Sequence, residues 1–161
     1  MAQALELVRP DGPPPVWAAL CNEALAACRS EPALSSLLDA VILRHDDLEA
    51  ALSFQLARKL GDAVITPISL REICQEAYEA VPLMVEQAEA DMRAVYERDP
   101  ATKGYLQPFL FYKGFIALQT HRLHRRGRAR AAGQLPAMPR AGANDGPHTR
   151  GCRLRLRDLT A

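Results

Sequence analysis

From Val16 to about Leu123 apolar residues return every three or four positions, with polar residues filling the gaps. That period gathers the apolar side chains on one face of a helix. Trp17, Leu20, Cys21, Ala24, Leu25 and Cys28 define the first such face. Ser30, followed by Pro32, predicts the start of a second helix carrying Leu34, Leu37, Leu38, Val41 and Ile42. Asp46, with Glu49 three residues on, predicts a capped third helix through Leu48, Leu52 and Leu56 that ends at Gly61. Thr66-Pro67 pairs an N-cap with a proline at the first helical position and opens a fourth, through Leu70, Ile73, Cys74 and Ala77. Pro82 begins a fifth, with Val85, Ala88, Met92 and Val95 turned inward, and Asp99-Pro100 ends it. A sixth runs from near Pro108 through Phe111, Phe115 and Leu118. The expected fold is all-α, a bundle of about six amphipathic helices.

The pattern fails after Leu123. His124-Arg125-Arg126-Gly127-Arg128 has lost its apolar stripe, and the residues beyond are mostly Arg, Ala, Gly, Pro and Thr. Too little apolar surface remains there to offset chain entropy. The expected organisation is a flexible leader over 1–15, a helical domain over 16–125, and a disordered Arg/Gly/Pro-rich tail over 126–161. Charge divides at the same place. Residues 121–161 hold ten arginines, no lysine and two aspartates, a net +8, while residues 1–120 carry −7, for a total of +1. Such a split marks regions of different origin or role. Arginine without lysine, mixed with Ala, Gly and Pro, is what an out-of-frame reading of GC-rich coding DNA produces. The tail is therefore read as a frameshift or truncation product, against a genuinely evolved short form.

Several classes drop out. No run of about 18 apolar residues exists to span a bilayer, and the first 15 residues lack the basic-then-apolar order of a secretory signal, so the expected location is the cytoplasm. The four cysteines, Cys21, Cys28, Cys74 and Cys152, include no Cys-x-x-Cys pair, and free thiols are expected, with no metal. Residues 121–161 contain no Phe, Tyr or Trp for base stacking, so specific nucleic-acid binding is not expected.

One stretch carries more than periodicity. Residues 98–122 read Arg-Asp-Pro-Ala-Thr-Lys-Gly-Tyr-Leu-Gln-Pro-Phe-Leu-Phe-Tyr-Lys-Gly-Phe-Ile-Ala-Leu-Gln-Thr-His-Arg. This resembles the end of the helical N-terminal domain of the serine O-acetyltransferase family: an Arg-Asp-Pro turn, a Tyr-x-x-Pro-x-Leu helix start, then Lys-Gly-Phe-x-Ala-Leu-Gln. Further features agree in order: Trp17, Arg44-His45-Asp46-Asp47-Leu48, Ala51-Leu52-Ser53, Leu56-Ala57-Arg58-Lys59-Leu60, Arg71-Glu72, Glu76-Ala77-Tyr78 and Asp91. The resemblance covers roughly Val16 to Arg122.

It implies acetyl transfer from acetyl-CoA to the hydroxyl of L-serine, the first committed step of cysteine synthesis. The family's catalytic domain is a left-handed β-helix of hexapeptide repeats, which supplies a His-Asp pair as general base and the acetyl-CoA cleft. The helical domain packs the family into a hexamer, a dimer of trimers, and lends the serine site the Asp of Arg-Asp-Pro. That residue is Asp99 here, the expected substrate-binding residue. Self-association through the N-terminal helices follows, with Trp17, Leu20 and Leu34 as candidate contacts. Past Arg122 the 161 residues show no hexapeptide recurrence, so they assign no catalytic residue and no bound cofactor, and acetyl transfer by this chain alone is not expected. The alternative is a non-catalytic oligomerisation module that associates with an intact homologue.

Plainer readings stand beside these. Asp99 also suits the residue before a helix-ending proline. His45 suits capping or packing, and His121 with His124, three apart and lacking a third ligand, suits a solvated face. Lys113-Gly114 follows no phosphate loop, and Gly114 suits a close helix approach.

Overall fold

The computed structural model describes residues 15–131, and all regular structure among them is helical. The expectations of a flexible leader and of a disordered tail from about 132 onward lie outside the described residues. Seven α-helices are described: α1 (Val16–Ser30), α2 (Ser35–Leu38), α3 (Leu48–Leu60), α4 (Pro67–Ala80), α5 (Leu83–Arg98), α6 (Leu106–Phe111) and α7 (Lys113–Ala131). A 3₁₀ turn, Pro32–Leu34, leads into α2, and a π-helical turn, Asp39–Leu43, follows it.

α3 lies at the centre. Leu48, Ala51, Leu52, Leu56 and Ala57 are buried, as the helical spacing predicts. Around it Leu20, Ala24 and Leu25 of α1, Leu38, Val41 and Ile42, Cys74 and Tyr78 of α4, and Ala88 and Met92 of α5 close one core. Each fully buried aliphatic or aromatic side chain contributes about 1.5–3 kcal/mol relative to exposure. α6 adds Phe109 and Leu110, and α7 adds Phe115.

The helix starts agree with the sequence at α4, where the Thr66 hydroxyl accepts from the Ser69 N–H at 3.3 Å, and at α5, which opens behind Pro82. Five expectations are corrected. Ser30 does not cap a second helix; it is the last residue of α1, and its hydroxyl donates to the Ala27 carbonyl at 3.2 Å. The cap of α3 is Asp47 rather than Asp46, its carboxylate accepting from the Ala50 N–H at 2.8 Å. The sixth helix is two, because the chain turns at Tyr112 (φ −77°, ψ 108°) between α6 and α7. Ile73 is 55% exposed, and Tyr78 takes its place in the core. Helix continues through residues 126–131, inside the segment assigned to the tail.

The cysteines divide. Cys28 and Cys74 are free thiols, whereas Cys21 is disulfide-bonded, against the expectation of a free thiol. Burial pushes the Cys74 thiol up to about 11, so it stays protonated at neutral pH.

Candidate functional site

The α5–α6 connection is organised by Asp99. The residue before a proline avoids helical backbone, so α5 stops at Arg98, and the Asp99 N–H makes the last helical bond, to the Val95 carbonyl at 2.9 Å. Pro100 then takes the second position of a tight turn, closed by the Thr102 N–H donating to the Asp99 carbonyl at 3.0 Å. The Asp99 side chain fixes the same turn from outside. Its Oδ1 accepts from the Ala101 N–H at 2.9 Å, and its Oδ2 accepts from the Thr102 hydroxyl at 2.9 Å. The Tyr112 hydroxyl lies 2.7 Å from that of Thr102 and reaches Asp99 Oδ2 at 3.5 Å.

Those donors set the electrostatics. The Ala101 N–H and the Thr102 hydroxyl hold the Asp99 carboxyl below the usual carboxylate range, with Tyr112 adding to the effect. Asp99 is ionised at neutral pH and only partly covered. An anionic carboxylate with lone pairs still open to solvent is suited to pair with an ammonium group.

Thr102 and Tyr112 were missed by the sequence reading. Thr102, three residues after Asp99, is buried, and its hydroxyl bridges the turn to Tyr112. The α6–α7 break brings the Tyr112 ring there, so the break that the periodicity hid is part of the site.

Three polar clamps hold α6 and α7 in place behind this turn. The Glu23 carboxylate of α1 accepts from the Tyr105 N–H at 3.1 Å and the Leu106 N–H at 2.8 Å, a charged cap at the start of α6. Gly104 allows it: a Cβ there would lie 2.5 Å from the Glu23 carboxylate. Buried Gln55 of α3 donates to the Phe109 and Leu110 carbonyls at 3.1 and 3.2 Å, and Arg58 supplies its Oε1 with donors. Across α5 and α7, Asp91 pairs with Arg122 and accepts from Gln119 at 2.9 Å.

The other candidates settle plainly. His45 is buried, its Nε2 3.1 Å from the Ala40 carbonyl and its ring 5.2 Å from that of Phe54. Burial lowers its pKa, so it is a neutral packing histidine. His121 and His124 are exposed, and among the described residues no cluster of His, Cys, Asp or Glu is placed to hold a metal ion. A Cβ on Gly114 would meet nothing within 4 Å, so the expected close helix approach is corrected. Of the candidate oligomer contacts, Leu20 is buried in the core and Trp17 is half-buried, its indole N–H donating to the Asp46 carbonyl at 3.1 Å; only Leu34, 41% exposed, is open. Among the described residues no helix is long and apolar enough to cross a membrane.

An all-α domain that ends on a carboxylate-centred turn and two clamped helices defines a class, and comparison with known proteins gives the family. Residues 16–120 match the family described as serine acetyltransferase, N-terminal, and the chain belongs to it. The chain is 44% identical over 108 residues to the serine acetyltransferase of Salmonella typhimurium, and 43% identical over the same length to that of Escherichia coli. Each alignment takes 67% of this chain and 40% of the relative, so the chain spans well under half the length of these relatives. The Neisseria gonorrhoeae serine acetyltransferase in complex with serine superposes with a TM-score of 0.69 at 38% identity, over 74% of this chain and 48% of that one. A serine acetyltransferase in complex with CoA superposes with a TM-score of 0.67 at 40% identity, over 74% and 52%.

Proposed function

We propose that this chain supplies the serine-side and assembly functions of a serine O-acetyltransferase, with Asp99 receiving the ammonium group of L-serine. The observation that carries the reading is the Asp99 turn, where the Ala101 N–H and the hydroxyls of Thr102 and Tyr112 keep a partly exposed carboxylate ionised. An ammonium beside such a carboxylate gains a charge-assisted hydrogen bond and a fixed orientation. The family relation supports the substrate class, since it is the shared helical domain that carries Asp99.

The chemistry of acetyl transfer needs more than this. A base must take the serine hydroxyl proton, and a cleft must hold acetyl-CoA. The described residues pair Asp99 with hydroxyls rather than with a histidine, which suits a residue that positions substrate. In this proposal the base and the acetyl-CoA site belong to a hexapeptide β-helix like that of the family. The helical domain works in the cytoplasm and self-associates.

A thiol-release assay tests the reading. The 161-residue chain with serine and acetyl-CoA gives no release above background. A chimera in which residues 16–122 replace the matching segment of the Salmonella enzyme turns over. A folded chimera without turnover overturns the proposal.

A further inference from the structure

Counting hydrogens across the Asp99 turn locates a second acceptor beside the carboxylate. Asp99 is ionised at neutral pH and has no hydrogen to give. The 2.9 Å contact between Thr102 Oγ1 and Asp99 Oδ2 is therefore made with the hydrogen of Thr102, and a hydroxyl has only one. The 2.7 Å contact between Thr102 Oγ1 and the Tyr112 hydroxyl is then left to the hydrogen of Tyr112. The chain has one direction: Tyr112 donates to Thr102, and Thr102 donates to Asp99. The 3.5 Å approach of the Tyr112 hydroxyl to Asp99 Oδ2 is the long branch of the same donation. With its hydrogen committed, Tyr112 Oη has only lone pairs to offer, and among the described residues no group donates to it.

That oxygen is held in place. Thr102 is buried, and its N–H closes the Asp99 turn at 3.0 Å. Tyr112 is pinned from both neighbouring helices. Its N–H donates to the Pro108 carbonyl of α6 at 3.3 Å, and its carbonyl accepts from the Ile116 N–H of α7 at 3.2 Å. Its ring packs against the core, while the residue as a whole is half-buried. Two acceptors 3.5 Å apart are spanned by a single nitrogen at about 2.9 Å from each. An ammonium group has three hydrogens to place, more than one oxygen can take.

We propose that Tyr112 is a second substrate-binding residue for L-serine, its hydroxyl oxygen accepting one N–H of the ammonium group while Asp99 accepts another. The inference rests on the reading of Asp99 above and deepens it from a lone charge to a two-point site. The carboxylate supplies attraction, which any cation would feel; the phenol oxygen supplies direction, which only a nitrogen with two free N–H bonds can use. A primary ammonium meets both acceptors, and a quaternary one meets neither with a hydrogen bond. Recognition then depends on the α6–α7 break, because that break places Tyr112.

Tyr112→Phe tests it by two measurements. The variant keeps the ring that packs against the core and removes the hydroxyl alone, and circular dichroism checks its helices. In the full 161-residue chain, a ¹³C NMR titration of the Asp99 carboxyl reads whether Asp99 is disturbed. The Ala101 N–H and the Thr102 hydroxyl still donate, so that carboxyl stays below the ordinary carboxylate range. In the chimera with the Salmonella enzyme, KM for serine rises at least about tenfold, as expected for losing one hydrogen bond to a charged group, while KM for acetyl-CoA is unchanged. A serine KM that rises together with an Asp99 carboxyl shifted up to the ordinary range makes Tyr112 a support for Asp99 and overturns the contact. A serine KM unchanged in Tyr112→Phe but raised in Asp99→Asn sinks this inference alone. If neither variant changes it, the reading of Asp99 falls as well.

Discussion

The turn at Asp99 and the turn at Asp62 are built from the same parts and end in opposite surfaces. In each, an aspartate carboxylate accepts from the backbone N–H two residues on, and at Asp62 from the next N–H as well. At Asp99 the surrounding groups then converge: Thr102 is buried, Tyr112 reaches over, and Glu23 and Gln55 pin the helix behind. At Asp62 they diverge, and Ile65, Ile68 and Ile73 point into solvent. A converging turn presents one charged group in a fixed position, which suits a small ligand. A diverging turn presents apolar area, which suits a surface. The contrast shows that an aspartate-capped turn does not by itself indicate a site; what its neighbours do decides.

The largest effect expected from this contrast is at the clamps behind Asp99. Gln55→Ala leaves the Phe109 and Leu110 carbonyls without their buried donor and should destabilise the chain by about 3 kcal/mol in urea unfolding. A loss under about 1 kcal/mol would mean that α6 is held by packing alone.

Much of the framework behind these clamps was legible in the sequence. Thr66-Pro67, Pro82 and Asp99-Pro100 set helix ends through local backbone chemistry, which needs no tertiary partner, and the structure keeps all three. Failures came where the decision is tertiary. Asp46 and Asp47 are both chemically able to cap α3, and the chain path selects Asp47. The apolar run from Phe109 to Phe115 reads as one helix, but Tyr112 breaks it and bonds with Thr102. On α4 the spacing turned Ile73 inward, whereas Ile73 is exposed and Tyr78 is the residue buried in the core. Asp99 itself was reached through the motif, while its partners became visible only with the backbone turn. The π-helical turn Asp39–Leu43 has no signature in the apolar spacing.

A second, smaller effect should appear at the α3–α4 pair, where charges crowd instead of pairing. Half-burial, with Asp47 and Glu79 adding repulsion, pushes Glu49 up to about 7 from an ordinary 4.5. The folded state therefore binds this proton more tightly than the unfolded chain. The associated stability is fully present below 4.5 and is lost as pH rises through 7. Discounted for solvent screening, the swing should be about 1–2 kcal/mol. Thermal or urea unfolding across that range should show it, and Glu49→Gln should flatten it; an unchanged slope in the variant would assign the pH dependence elsewhere.

The smallest effect belongs on the diverging side. Ile73→Ser, at a position 55% exposed, should change the stability of the monomer by no more than about 0.5 kcal/mol at low protein concentration. A loss above about 2 kcal/mol would place Ile73 in the core and remove the contrast between the two turns.

The central claim is that Asp99 receives the substrate's ammonium group, and Asp99→Asn in the chimera with the Salmonella catalytic segment tests it most directly. The side chain keeps its shape and one acceptor oxygen for the Ala101 N–H, and it loses the charge together with the second acceptor oxygen that takes the Thr102 hydroxyl. The account predicts that KM for serine rises at least about tenfold while KM for acetyl-CoA is unchanged. A serine KM equal to that of the unmodified chimera, with the helical domain still folded, would contradict it and reduce Asp99 to a turn-forming residue.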